Sequence, residues 1–192
     1  GKATLAGAYY FQTGEDRLGK DIQANYLMIE AGLPLAASWR LGGAFEYVSG
    51  TDQPTAGGAP TSVNRSFTPV FGTNHAFNGH MDYFFAGSHM NNVGLINPLI
   101  QLHYQAAAFN VQLHLHTFYA DGAIANPASP SGKASSFLGN EADLILSYPL
   151  NDTALIRAGY SRMFATPSME ILKGGSSELT NQWAWLMLTV KI

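Results

Sequence analysis

In residues 94–119, apolar and polar positions alternate in two runs. One set carries Ile96, Ile100, Leu102 and Tyr104, then Phe109, Val111, Leu113, Leu115 and Tyr119. The other carries Asn97, Gln101, His103 and Gln105, then Asn110, Gln112, His114 and His116. A period of two sends the sets to opposite faces of a strand. With a turn near 106–109, the two runs become one antiparallel hairpin. The polar set is made of amides and imidazoles, and the apolar set is almost unbroken. Hydrocarbon outside and a wet or polar-filled interior would account for both faces, which is the pattern of a transmembrane β-barrel.

The same period predicts six further strands, at residues 2–13, 22–31, 35–49, 138–148, 153–164 and 182–192. In the second, Ile22, Ala24, Tyr26 and Met28 form the apolar face, with Gln23 and Asn25 opposite. In the third, Trp39, Leu41, Phe45 and Tyr47 lie opposite Arg40, Gly42 and Glu46. In the sixth, Leu144, Leu146 and Tyr148 face out and Glu141 and Asp143 face in. In the seventh, Ile156 and Tyr160 face out and Arg157 and Ser161 face in. Both faces of the last strand are apolar, so its Trp183 and Trp185 can be interfacial anchors or a stacking platform inside. Pro98 is awkward in a paired strand, which places it near a rim or a bulge.

The connections alternate between long and short, with short turns near residues 33, 107 and 151. Outer-membrane barrels have short periplasmic turns and long outer loops. The alternation gives eight strands in one domain spanning 1–192, with both termini on the periplasmic side. The long region 50–92 is expected to fold into the lumen, because its aromatics and amides suit packing better than a tether.

Composition narrows the choice. Charged residues are 12 % of the chain, against about 25 % in soluble proteins. No apolar run approaches the roughly 18 residues of a membrane helix, whereas a barrel strand needs only about 9–11. Cysteine is absent, which excludes disulfides, thiol nucleophiles and zinc–thiolate centres. A net charge of −3 gives no reason to expect nucleic acid as a partner. The strand pattern starts abruptly and without a leader. The expectation is part of a larger barrel, with its first and last strands unpaired with each other.

Three stretches carry a resemblance: FTPVFGTNHAFNGHMDYFF at 67–85, YSRMFATPSMEILKG at 160–174 and the closing WAWLMLTVKI. They resemble the C-terminal part of the alginate-export family of outer-membrane barrels. The resemblance implies a porin-like channel of more than eight strands, narrowed by inward loops and passing small solutes or polysaccharide. It also implies outer-membrane lipid as the surrounding partner. The lumen positions assigned by alternation hold Arg40 and Arg157 against Glu46, Glu141 and Asp143, and a polyanion conduit calls for a more basic wall. The other reading is a closed eight-strand barrel, filled by side chains, with a structural, adhesion or binding role and no conductance.

The expected pore lining is Arg40, Glu46, Asn97, Gln101, His103, Gln112, His114, His116, Glu141, Asp143 and Arg157. The expected constriction uses Asn74, His75, His80, Asp82 and Tyr83. His103, His114 and His116 share a face, and two or three imidazoles can bind a transition metal, but a polar Gln/Asn/His lumen network is the reading preferred, and no metal is expected. His75 and His80 near Asp82 allow a His–Asp pair or a hydrogen-bonded loop. Glu141 and Asp143 are expected to pair with Arg157. With no nucleophile elbow, phosphate loop or zinc-protease motif, the sequence predicts neither an enzyme nor a cofactor.

Overall fold

Eight long strands follow one another as an antiparallel meander, each hydrogen-bonded to the next. They are β1 (Thr4–Glu15), β2 (Asp21–Pro34), β3 (Trp39–Val48), β5 (Leu95–Gln105), β6 (Asn110–Tyr119), β7 (Phe137–Pro149), β8 (Ala154–Ala165) and β9 (Asn181–Val190). The two-residue β4 (Val63–Asn64) adds a parallel pairing to the start of β2. A short helix, α1 (Pro167–Lys173), follows β8. This arrangement comes from a computed structural model that describes residues 2–55, 61–69, 78–84 and 93–191. The architecture is all-β, in one sheet whose path runs from β1 to β9 without joining those two edges.

The expected hairpin is present: the Ala106 amide donates to the Phe109 carbonyl at 2.9 Å, and His103 pairs with Gln112. The turn of residues 150–153 is tied by the Asn151 Oδ1, which accepts from the Thr153 amide at 2.9 Å, a common role for Asn in turns. The third short turn lies at 35–38, past the expected Gly32–Pro34, because Gly32 is a paired strand residue between Thr4 and Gly42. The opposite end holds the turn of residues 16–20 and the long connections. Asp16 closes the turn there by accepting from the Leu18 and Lys20 amides. The Lys20 amide is the main cause holding the Asp16 pKa below its usual value.

Pro98 sits in a central strand, close to the long-connection end of β5. It pairs with Phe45 on one side, while on the other the β5–β6 pairing lapses and resumes in the same register. A bulge at Phe118/Tyr119 follows on the neighbouring pair, so the missing proline donor is absorbed locally.

The hydrophobic core lies at the long-connection end, where Phe67, Phe84 and Met169 from the connections pack on Ala24, Leu95, Phe118 and Leu138. Two glycines let the chain close there. A Cβ on Gly50 would fall 1.9 Å from the Val93 carbonyl carbon. A Cβ on Gly94, whose φ is +67°, would fall 2.3 Å from the Val48 carbonyl oxygen. Gly94→Ala should lower stability by more than the about 1–2 kcal/mol of the left-handed backbone alone. A denaturant titration checks this; an unchanged midpoint would refute the close approach.

The 166–180 connection contains α1. Pro167 is at its start, Glu170 in its first turn, Lys173 in its last, and Gly174 follows with φ +79°. These are ordinary helix-start and helix-stop signals, and here they are sufficient for two turns.

Candidate functional site

One line of paired residues crosses the sheet as Gly42, Gln101, His114, Asp143, Ser161 and Trp183. The adjacent line is Leu41, Leu102, Leu113, Leu144, Tyr160 and Ala184. Neighbouring lines therefore present opposite faces. The polar one is covered: Glu141, Asp143 and Ser161 are 1 %, 0 % and 1 % exposed. The apolar one is open, with Leu115 and Leu144 at 44 % and 47 %.

The apolar face is ordered along the strands. At the short-turn end it carries Trp39, Tyr104, Phe109 and Tyr148, with Trp39 and Tyr104 ring centroids 4.6 Å apart. At the other end it carries Tyr9, Phe11, Tyr47, Tyr119 and Phe137. Leucine and isoleucine fill the middle. From Trp39 to Tyr47 along β3 is about 26 Å at the usual strand rise.

The sheet curls enough for residues of β2 and β9 to line one cavity of ≈ 800 Å³. Of the predicted lining, Glu46, Asn97, Gln101, Gln112, His114, His116 and Arg157 are on this cavity. Glu141 and Asp143 are buried in the same face. His103 stacks on His114 with centroids 5.6 Å apart. Arg40, on the same face, reaches across to the Thr4 hydroxyl and the Lys2 carbonyl.

One facing assignment changes, and one left open is settled. Ile22, Ala24, Tyr26 and Met28 turn to the covered side, because Met28 pairs with Glu46 and Tyr26 donates to Glu46 at 2.8 Å while packing on Phe67. Leu27 and Ile29 take the open side instead. The Trp183 and Trp185 ambiguity is resolved inward: they pair with Ser161 and Gly159 and line the cavity.

The expected Arg157 pairing is not made among the described residues. Its guanidinium lies 5.7 Å over the Trp185 ring. Asp143 instead faces His116, with Nε2 to Oδ2 at 3.5 Å, and the other His116 nitrogen lies 3.1 Å from Asn97 Oδ1. Glu141 is held by a loop. Its Oε1 accepts from the Met81 amide at 2.9 Å, and a Cβ on Gly79 (φ +86°) would fall 2.5 Å from that carboxylate oxygen.

Residues 78–84 therefore lie against the covered face. Asn78 accepts from Asn97 at 3.4 Å, the His80 ring is 5.9 Å from His114, and Phe84 packs 4.6 Å from Phe118. Lys173 of α1 sits 5.4 Å over the Phe84 ring, and burial holds its pKa below the usual lysine value. Tyr83 is pushed up by burial and by the Glu141 charge. Of the predicted constriction, His80 and Asp82 line the cavity and Tyr83 belongs to this segment. Asn74 and His75, and with His75 that half of the His–Asp idea, fall outside the described residues.

The imidazoles of His103, His114 and His116 run in a row, with centroids 5.6 and 6.4 Å apart. Among the described residues, no three His, Asp or Glu side chains come together as a metal site. The arrangement is a concave wall on which amides, imidazoles and acids are set among Met28, Leu99, Ile145 and the two tryptophans, with a loop anchored to it; such a mixed surface suits a solute with both polar and apolar faces. Sequence reasoning missed the anchoring of the loop on Glu141, for which Gly79 beside His80 is too weak a signal. No family model and no curated protein matches this chain.

Proposed function

We propose that this chain is wall and lining of an outer-membrane β-barrel channel that admits polar solutes or saccharides past an inward loop. The observation that carries the reading is the open apolar face, leucine-rich in the middle and aromatic at both ends. Contiguous exposed apolar surface of that extent is rare on soluble monomers, and an apolar band of about 25 Å between aromatic girdles is the outer surface of such barrels. The polar concave face and the alternation of short turns with long connections support it. The free edges of β1 and β9 support a larger barrel, since exposed strand edges are not tolerated in hydrocarbon. The resemblance to the alginate-export family belongs to this same reading.

The test is planar-bilayer conductance of the native protein. Stable unit steps are expected, reduced when a saccharide that enters the cavity is added. Well-folded protein without steps would instead favour a plugged wall with a structural or binding role; the closed eight-strand form of that reading does not match the unjoined β1 and β9 edges.

A further inference from the structure

We propose that the cavity on the covered face is a subsite for a neutral, pyranose-built oligosaccharide, with the Trp185 indole as its stacking platform. The inference rests on the channel reading for its biological sense, though binding itself is separable from conduction. Trp183 and Trp185 are successive inward residues of β9, their ring centroids 6.3 Å apart. The wall is shaped for the second of them. Trp185 pairs with Gly159, and any Cβ there would fall 2.3 Å from the indole nitrogen. The absent side chain lets the ring lie against β8 while it lines the cavity. A sugar ring presents a sheet of C–H bonds on one face and hydroxyls around its edge. An indole face receives the former, and amides, which both donate and accept, receive the latter. Gln101 and Gln112 supply those amides from β5 and β6.

Charge selects among saccharides. Among the described residues, the lining holds the carboxylates of Glu30, Glu46 and Asp82 against the single guanidinium of Arg157. That guanidinium already sits over the Trp185 ring, a cation–π contact that anchors the indole. A wall of this sign disfavours polyuronates and leaves neutral sugars as the fitting class. The ≈ 800 Å³ of the cavity is within the usual range of ligand sites.

The chain has three tryptophans, and Trp39 is on the opposite face, so a Trp39→Phe background makes fluorescence report on Trp183 and Trp185 alone. In detergent, a neutral glucose hexasaccharide should give a saturable change, and a uronate hexasaccharide should give far less. Trp185→Ala should weaken binding about ten-fold, the scale of one good stacking contact, and Trp185→Phe should recover part of the loss. If Trp185→Ala does not fold, the Phe variant and the two-sugar comparison still decide. No saturable change with the neutral sugar, or equal binding of the uronate, overturns the proposal. Conductance is recorded on the same preparation. Steps without sugar binding overturn the subsite and leave the channel. Sugar binding without steps supports the subsite and removes the channel.

Discussion

Leu144→Arg should lower unfolding stability by about 2–4 kcal/mol when the protein is folded into phospholipid vesicles, the cost of a guanidinium near mid-bilayer on a barrel's outer face. Leu144 is central in β7, 47 % exposed, and flanked across the sheet by Leu113 and Tyr160. In water the same change would be almost free, because exposed surface substitutions stay within about 0.5 kcal/mol. The matched control is Gln101→Arg, on the cavity side, which should cost little in either medium. Guanidinium titrations of the two variants in vesicles make the comparison. Equal, small losses would mean that the apolar face does not meet lipid, and the channel reading would fall with it.

Glu141→Ala should release residues 78–84 from the wall and raise unit conductance. The carboxylate accepts the Met81 amide and packs under Gly79. A buried hydrogen bond of this kind is worth about 0.5–1.5 kcal/mol, so its loss multiplies the detached population by roughly two- to ten-fold. Wherever the loop narrows the pore, its departure should enlarge the step, since the width of the constriction governs the flow. Glu141→Gln keeps a carbonyl acceptor for Met81 and should change the step far less. An unchanged step in the Ala variant would show that this loop does not restrict flow.

The two experiments probe opposite faces of one wall, and the strands between β3 and β8 explain why a single sequence pattern foretold both. There, one face of each strand is mostly apolar, while amides, imidazoles and acids are concentrated on the other among a few apolar residues such as Leu99 and Ile145. Alternation then assigns absolute facing, and a tight hairpin such as that at 106–109 carries the register to the next strand. Gln101, His114 and Asp143 fall on one line for that reason. The pattern loses force where both faces are apolar. In β2 the apolar alternates Tyr26 and Met28 look inward because Glu46 and Phe67 are there to meet them, and neither contact can be read from β2 itself. In β9 the inward turn of Trp183 and Trp185 is set by pairing with Ser161 and Gly159.

The sequence by itself determined the strand period, the three short turns to within a few residues, and the polarity of the wall from β3 to β8. These are local properties, settled by neighbours two to four positions away. Only the tertiary structure decided which way β2 and β9 face and that residues 78–84 rest on Glu141. Those outcomes depend on contacts between residues distant in the chain. Met81 and Glu141, 60 positions apart, have no shared pattern until the strands bring them together.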